Sequence, residues 1–586
     1  MAKKISIWML AFSFLLYLGC KDENSHPVEL RFVETTDVHG SLFSYDFINN
    51  KVDPGSLGAL SKYLDSIRGK DNREVVLLDN GDILQGQPPV YYDNYIDTSG
   101  MHIAAQILNY LNYDAGAVGN HDIEPGHAVY DKLKKEFKFP WLAANAIDTK
   151  TNKPYFKPYT VIEKAGAKIV ILGMVTPAIP NWLPKEKYEG IRFEDMKKSA
   201  EKWIKIIKSR EKPDMVVGLF HSGLGNVNEK KMKENAVLDV AEKVDGFDII
   251  FYGHDHGKNM LKVQNQSGNS VWLLNPGANA NYAAVADVTL KKKNNEFYLQ
   301  KIETGFVNLN DYEPTNHFKS SFENYKNEIK DFVSEKVTYL QEDLMGGNAL
   351  FGPSKWMQLI HEVQMKYTNA DLSFSAPLSI YDKLEKGDVT TGDLFKFYRF
   401  RNLLYSIQLS GKEIHDYLEY SYADWFNTMN STNEHLLKFK LDSSQKPAYS
   451  QEYGHYLLDG TYYNFDSAFG IDYVVDVSEN EGERVTIKGF SNGEPFKMDQ
   501  RYKVAINSYR ANGGGGHLTK GAGLNKTEIE RRIINVRDKD IRYLIMNQLE
   551  KNDTLNLKLH KNWEVHPVNW WKKTKLKDSL LLFKQN

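Results

Sequence analysis

The sequence contains one cysteine, Cys20, among 586 residues, so no intramolecular disulfide can form and packing has to hold the chain together. It also lacks an excess of charge of either sign: 74 Lys and Arg stand against 76 Asp and Glu. Such a balance gives none of the basic footprint expected of a nucleic-acid scaffold or a polybasic membrane binder, and no nucleic-acid polymer is expected as a partner. Long apolar runs are missing too. The longest, Ile5 to Leu18, is short for a bilayer span, and no later run is long enough. Internal repeats and long low-complexity tracts are likewise absent. What remains is an ordinary globular composition, 41% apolar and 26% charged, in a chain too long for one hydrophobic core.

The N-terminus differs from the rest. Lys3 and Lys4 precede the apolar run, which ends in Leu18-Gly19-Cys20 before the polar Lys21-Asp22-Glu23-Asn24. A small residue before a lone cysteine at this place resembles a bacterial lipoprotein signal over residues 1–20, with Cys20 as the lipidated first residue. An ordinary cleaved secretory signal is the alternative. Both imply export to the periplasmic or outer-membrane side or the cell surface, and the lipid at Cys20 would be the sole tie to a membrane.

From Val28 to Thr304, short apolar runs alternate with amphipathic stretches. The runs Leu30–Val33, Val75–Leu78, Ala115–Val118, Ile169–Leu172, Met215–Phe220 and Ile249–Tyr252 read as buried strands. Leu57, Leu60, Leu64 and Ile67 share one helical face, as do Ile103, Ile107, Leu108 and Leu111. The pattern predicts a layered α/β domain over 28–308 closed by a hairpin. A connecting helix and hinge over 309–342 and a mixed α/β domain over 343–566 follow. Residues 567–586 form a basic, aromatic tail to which the sequence gives no role.

Five polar motifs each follow one of these runs: Asp37-Val38-His39, Gly81-Asp82, Gly119-Asn120-His121-Asp122, His221-Ser222-Gly223 and Gly253-His254-Asp255-His256. Residues at the carboxyl ends of strands in an α/β sheet converge on one crevice. Carboxylates, imidazoles and one amide, with no thiolate, suit two divalent ions such as manganese, zinc, iron or cobalt. So many ligands exceed what one catalytic ion with an open position needs, and two ions about 3.5–4 Å apart need a bridging carboxylate. Asp82, alone after its strand, is the natural bridge.

In this order the motifs resemble the calcineurin-like metallophosphoesterases, and within them the two-domain nucleotidases. That family includes 5′-nucleotidases and 2′,3′-cyclic-nucleotide 2′-phosphodiesterase/3′-nucleotidases. The resemblance implies a four-layer β-sandwich flanked by helices, plus a C-terminal α/β nucleotidase domain. It implies that Asp37, His39, Asp82 and His256 hold one ion, and Asp82, Asn120, His221 and His254 the other. His121 would be the catalytic histidine, oriented by Glu124 where many 5′-nucleotidases have Asp. In the second domain the aromatic and glycine-rich segments Tyr462–Phe465 and Asn507–His517 suggest a base-stacking slot. By resemblance, Phe465 or Tyr463 supplies one face and Tyr509 or His517 the other, beside Gly514. The same resemblance implies that Asn402, after Arg399 and Arg401, would lie near the substrate. The motif contexts lean toward hydrolysis of 2′,3′-cyclic nucleotides to 3′-nucleotides and then nucleosides. A 5′-nucleotidase or nucleotide-sugar hydrolase is the alternative, and a catalytically dead nucleotide-binding protein a third reading.

Overall fold

The computed structural model describes residues 27–70, 73–225, 233–294, 296–451 and 454–583. Cys20 and the lipoprotein signal lie outside the described residues. Within residues 28–308 two six-stranded sheets pack face to face. The first runs, in spatial order, Glu296–Asn308, Tyr282–Lys293, Val28–Thr35, Glu74–Asp79, Ala115–Ala117 and Trp141–Leu142. The second runs Lys258–Gln264, Ser270–Pro276, Ile249–Tyr252, Met215–His221, Ala167–Val175 and Tyr159–Lys164. All six apolar runs lie in these strands, although the third strand ends at Ala117.

Period-2 alternation sends Leu30, Phe32, Val76 and Leu78 from one sheet against Ile169, Ile171, Val217, Leu219 and Phe251 from the other. The opposite faces bury helices. Leu57–Ile67, Ile103–Leu111 and His127–Glu136 cover the first sheet, and Met196–Arg210 and Val237–Lys243 the second. These are the four layers helix, sheet, sheet, helix.

Parallel pairing aligns the strand ends. Thr35 lies opposite Asp79 and Asp79 opposite Gly116, so the first three motifs leave one edge together. Tyr252 lies opposite Phe220, which brings the last two motifs to the matching edge of the second sheet. The edges are tied to each other: Asn80 Nδ2 donates to Phe220 O at 3.1 Å, and the His254 amide donates to Asp37 Oδ2 at 2.9 Å.

The connecting helix spans Asn316–Ser334, with Phe318, Phe322 and Ile329 buried. Tyr325 packs on the same core and its hydroxyl donates to Asp93 Oδ1 at 2.5 Å. Beyond it, a five-stranded sheet runs Ser467–Phe469, Leu372–Ser375, Arg501–Asn507, Leu403–Ser410 and Ile533–Asp540. Helices Lys355–Thr368, Thr391–Phe397 and Ile541–Leu549 cover one face, and Gly411–Trp425 the other. The tail forms a helix over Val568–Phe583. Asp578 on it is fully buried and accepts from the amides of Leu436 and Leu437 at 2.8 and 3.0 Å, which docks the helix on the second half.

Candidate active site

Three of the candidate ligands, Asp37, His39 and His256, place one donor atom each within 4.8 Å of one another. Asp82, His221 and His254 do the same beside them. Asn120 joins the second group through Oδ1, 3.1 Å from His221 Nε2, and Asp82 Oδ2 lies 3.1 Å from the same nitrogen. In the first group His39 Nε2 and His256 Nε2 are 3.0 Å apart. Such spacings match neighbouring ligand atoms around a divalent ion with bonds of about 2.1 Å.

Three further observations fit a dinuclear cation site. Asp37 Oδ1 is buried without a hydrogen bond, facing His256 Nε2 at 3.4 Å. Two histidines are oriented from behind by backbone carbonyls: His39 Nδ1 donates to Gln85 O at 3.0 Å and His221 Nδ1 to Asn80 O at 2.7 Å. A carbonyl only accepts, so Nδ1 carries a proton in each and Nε2 is the nitrogen left facing the site. Electrostatics agree. Burial works to lower His221, but Asp82 and Asp37 hold it up at about 10, whereas burial takes His39 down to about 4. A buried carboxylate cluster that draws protons onto one imidazole is a cluster short of positive charge.

The backbone is strained where the donors sit. Asp37, His39, Asp82, His254 and His256 have φ of 48°, 49°, 57°, 75° and 55°. Each left-handed residue costs on the order of 1–2 kcal/mol, and clustering of such residues is characteristic of functional sites. Two glycines of the motifs are required by close approach: a Cβ on Gly119 would strike Asp82 Oδ1, and one on Gly253 would strike Thr36 Oγ1 and Asp37 Oδ2. Asp122, quoted within a motif but given no role, proves central to this packing. Its carboxylate accepts from the amides of Asp82, Ile83 and Gly119 at 3.0, 2.9 and 2.8 Å, locking the Asp82 loop to the Asn120 turn. Glu234, also not foreseen, comes within 3.1 Å of His254 Nε2.

His121 Nδ1 donates to Glu124 Oε2 at 2.6 Å, so the longer glutamate does reach the imidazole. Burial opposes its charge, but Asp82 and Glu124 hold His121 up at about 9. His121 and Glu124 line a cavity of about 270 Å³ between the two halves of the chain. Asn402, Tyr463 and Tyr509 line the same cavity, with Phe400 and, from the first half, Trp182. Trp182 lies 5.5 Å from the His254 ring, centroid to centroid.

Three expected substrate contacts are corrected. Phe465 is fully buried and stacks on Trp425 at 5.2 Å and 9°, inside the core of the second half. His517 is fully buried against Tyr417 and Tyr420 at 4.9 and 5.3 Å. Gly514 lies behind the Tyr509 ring, where a Cβ would strike Cε2, and so makes room for that ring without facing the cavity. Both buried aromatics lost to packing, which claims the large rings nearest the sheet. Arg510 joins the two aromatic segments. It forms a two-pronged pair with buried Asp466, both contacts 2.9 Å, and donates to Tyr463 O at 2.8 Å and Asn464 Oδ1 at 3.0 Å.

Comparison with known proteins matches residues 30–258 to the calcineurin-like phosphoesterase model and residues 336–520 to the 5′-nucleotidase C-terminal domain. The 2′,3′-cyclic-nucleotide 2′-phosphodiesterase/3′-nucleotidase of Yersinia enterocolitica is 24% identical over 622 residues, aligned across 95% of this chain and 91% of its own. The trifunctional nucleotide phosphoesterase protein of Bacillus subtilis is 26% identical across 94% of this chain. This chain spans 40% of that protein's length. The structure of a 5′-nucleotidase precursor from Thermus thermophilus superposes with a TM-score of 0.60, at 20% identity, covering 92% of this chain and 99% of that one. The family implies divalent metals, for which the two donor groups above are the candidate places. The chain thus belongs to the calcineurin-like phosphoesterases, in the two-domain form that ends in a 5′-nucleotidase C-terminal domain, and is a phosphoester hydrolase.

Proposed function

We propose that the protein is exported and hydrolyses 2′,3′-cyclic nucleotides to 3′-nucleotides and these to nucleosides and phosphate. One observation carries the reading. A single cavity joins the His121–Glu124 pair of the first half to Asn402, Tyr463 and Tyr509 of the second. Aromatic rings stack on any nucleobase, and Asn402 offers both a donor and an acceptor to a base or ribose edge. The name of the Yersinia relative and the contexts around Asp37, Asp82 and Arg510 support the cyclic and 3′ substrates over 5′-nucleotides. The anchor at Cys20 is supported by the N-terminal sequence alone.

In this reading Asp37, His39, Asp82 and His256 hold one cation, and Asp82, Asn120, His221 and His254 the other. When bound, the two cations polarise the phosphoryl oxygens and activate water near neutral pH. The chain's own residues do the rest. Glu124 holds His121 through Nδ1. The remaining Nε2–H faces the charge that builds on the phosphoryl group and gives its proton to the departing ribose oxygen. In the first step water opens the bond from phosphorus to O2′. In the second, water breaks the bond to O3′. Tyr463 and Tyr509 hold the base so that the ribose edge meets His121.

The test is phosphate and product analysis with the purified mature protein and manganese, on 2′,3′-cyclic AMP, 3′-AMP and 5′-AMP. Turnover of the first two with little of the third is expected. Preference for 5′-AMP would move the protein to the 5′-nucleotidase reading, and no turnover with two metals bound would revive a nucleotide-binding role. The anchor is tested separately: Cys20→Ser should release the protein from membranes, and retention would refute lipidation there.

A further inference from the structure

The cleft holds more positive charge than a single scissile phosphate needs. Arg401 and Lys187 both line it, one from each half of the chain, alongside His121 and Glu124. The Arg401 side chain is only 10% exposed, and its Nε is buried without a hydrogen-bond partner among the described residues. Its nearest carboxylate oxygen, Asp540 Oδ2, lies at 3.6 Å, too far for a hydrogen bond. Asp540 is committed elsewhere: Oδ2 accepts from Tyr91 at 3.2 Å and Oδ1 from the Tyr543 amide at 3.0 Å. Stacking on Tyr95, 4.0 Å from the ring centroid, occupies a face of the guanidinium and leaves its N–H edge.

The neighbouring Arg542 shows what a purely structural arginine looks like here. It donates to the Tyr398 and Arg399 carbonyls at 3.0 and 2.7 Å and lies over Phe395 at 4.0 Å. Among the described residues Lys187 Nζ makes one long hydrogen bond, 3.4 Å to Pro125 O. Burial and then the Arg401 charge lower it to about 8. Two cations that disfavour each other in a partly dry cleft, each with donors to spare, form a site for an anion. Glu124 is the one carboxylate on the same lining, and His121 already engages it.

We propose that Arg401 and Lys187 form a subsite for a second phosphoryl group of the substrate, so that nucleotides carrying two such groups are preferred over mononucleotides. The inference rests on the cleft being a nucleotide site. The second group reaches the subsite either from the other end of the ribose or through an anhydride.

The experiment measures kcat/KM of the manganese-loaded protein for adenosine 3′,5′-bisphosphate, for ADP, and for whichever of 3′-AMP and 5′-AMP it turns over better. At least a tenfold preference for one of the two doubly phosphorylated compounds is expected, and which one shows how the groups are joined. In Arg401→Gln and in Lys187→Gln that ratio should fall at least fivefold, with partial recovery in Arg401→Lys. Lys187 is only half-buried, so its variant keeps the test open if Arg401→Gln fails to fold. A wild-type ratio near one, or a ratio unchanged in both glutamine variants, overturns the proposal while mononucleotide turnover leaves the nucleotide reading standing. Failure to hydrolyse any mononucleotide overturns that reading itself, and this inference with it.

Discussion

Replacing Glu124 with glutamine removes a charge and little else. The carboxylate lies 2.6 Å from His121 Nδ1, with the glutamate side chain 10% exposed and the imidazole 34% exposed. A charge-assisted hydrogen bond in such a setting contributes about 1.5–3 kcal/mol. At about 1.4 kcal/mol per factor of ten, its loss should lower kcat by roughly 10- to 150-fold. The loss should act through His121 alone. His121→Asn itself should cost about 10²- to 10⁴-fold, and adding Glu124→Gln to it should cost nothing further, because the group being oriented is already gone. The assay is steady-state phosphate release on a 3′-nucleotide, with metal content measured on each variant to show that both cations remain. If Glu124→Gln keeps kcat within about twofold, or costs the same with and without His121, the dyad argument is wrong.

Asp82→Asn should lower bound metal below two per chain and abolish turnover, as read by elemental analysis; two retained metals would show that Asp82 is not the shared ligand. Tyr463→Ala or Tyr509→Ala should raise KM by roughly 5- to 150-fold, the worth of about 1–3 kcal/mol of base stacking. Phe465→Ala should instead leave KM of the folded protein alone and destabilise it by about 3–5 kcal/mol, because its ring is core. Acid should also weaken the fold. Burial lowers His102, His361 and His517 each to about 3 from 6.5, so the folded protein keeps them neutral. Their stability is whole above pH 6.5 and is lost as pH falls from there toward 3, by about 2 kcal/mol per histidine at pH 5. The denaturation midpoint should fall between pH 7 and pH 5, and by less in His361→Gln; an equal fall would exclude His361 as a contributor.

The donor set was legible because the chemistry of each motif is local and its place is fixed by the strand before it. Asp37, Asp82, Asn120, His221 and His254 each follow a buried apolar run, and parallel pairing of those runs does the assembling. The hydrogen bonds that aim the donors were not legible. Asp122 reaches the amides of residues 38–40 positions away, and Asn80 holds His221 from 141 positions away. Nothing in either segment announces the other. The aromatic segments misled for the opposite reason. Tyr463 and Phe465 are two residues apart, and composition alone makes either a stacking platform. The outcome turned on Trp425, far upstream, whose ring lies parallel to Phe465 and leaves Tyr463 to the cleft.

The second half is built to hold those platforms as one unit. Asp466 and Arg510 are 44 positions apart, and their pairing is buried, an arrangement that solvation alone disfavours. The same arginine donates to the Tyr463 carbonyl and lies four residues before Gly514, which makes room for Tyr509. A pair that costs desolvation is useful where the distance between two rings has to stay constant. The connecting helix is packed into the core of the first half through Phe318, Phe322 and Ile329. The Arg510–Asp466 pair and the Trp425–Phe465 stack thus fix Tyr463 and Tyr509 relative to each other on the wall of the cleft that also holds His121.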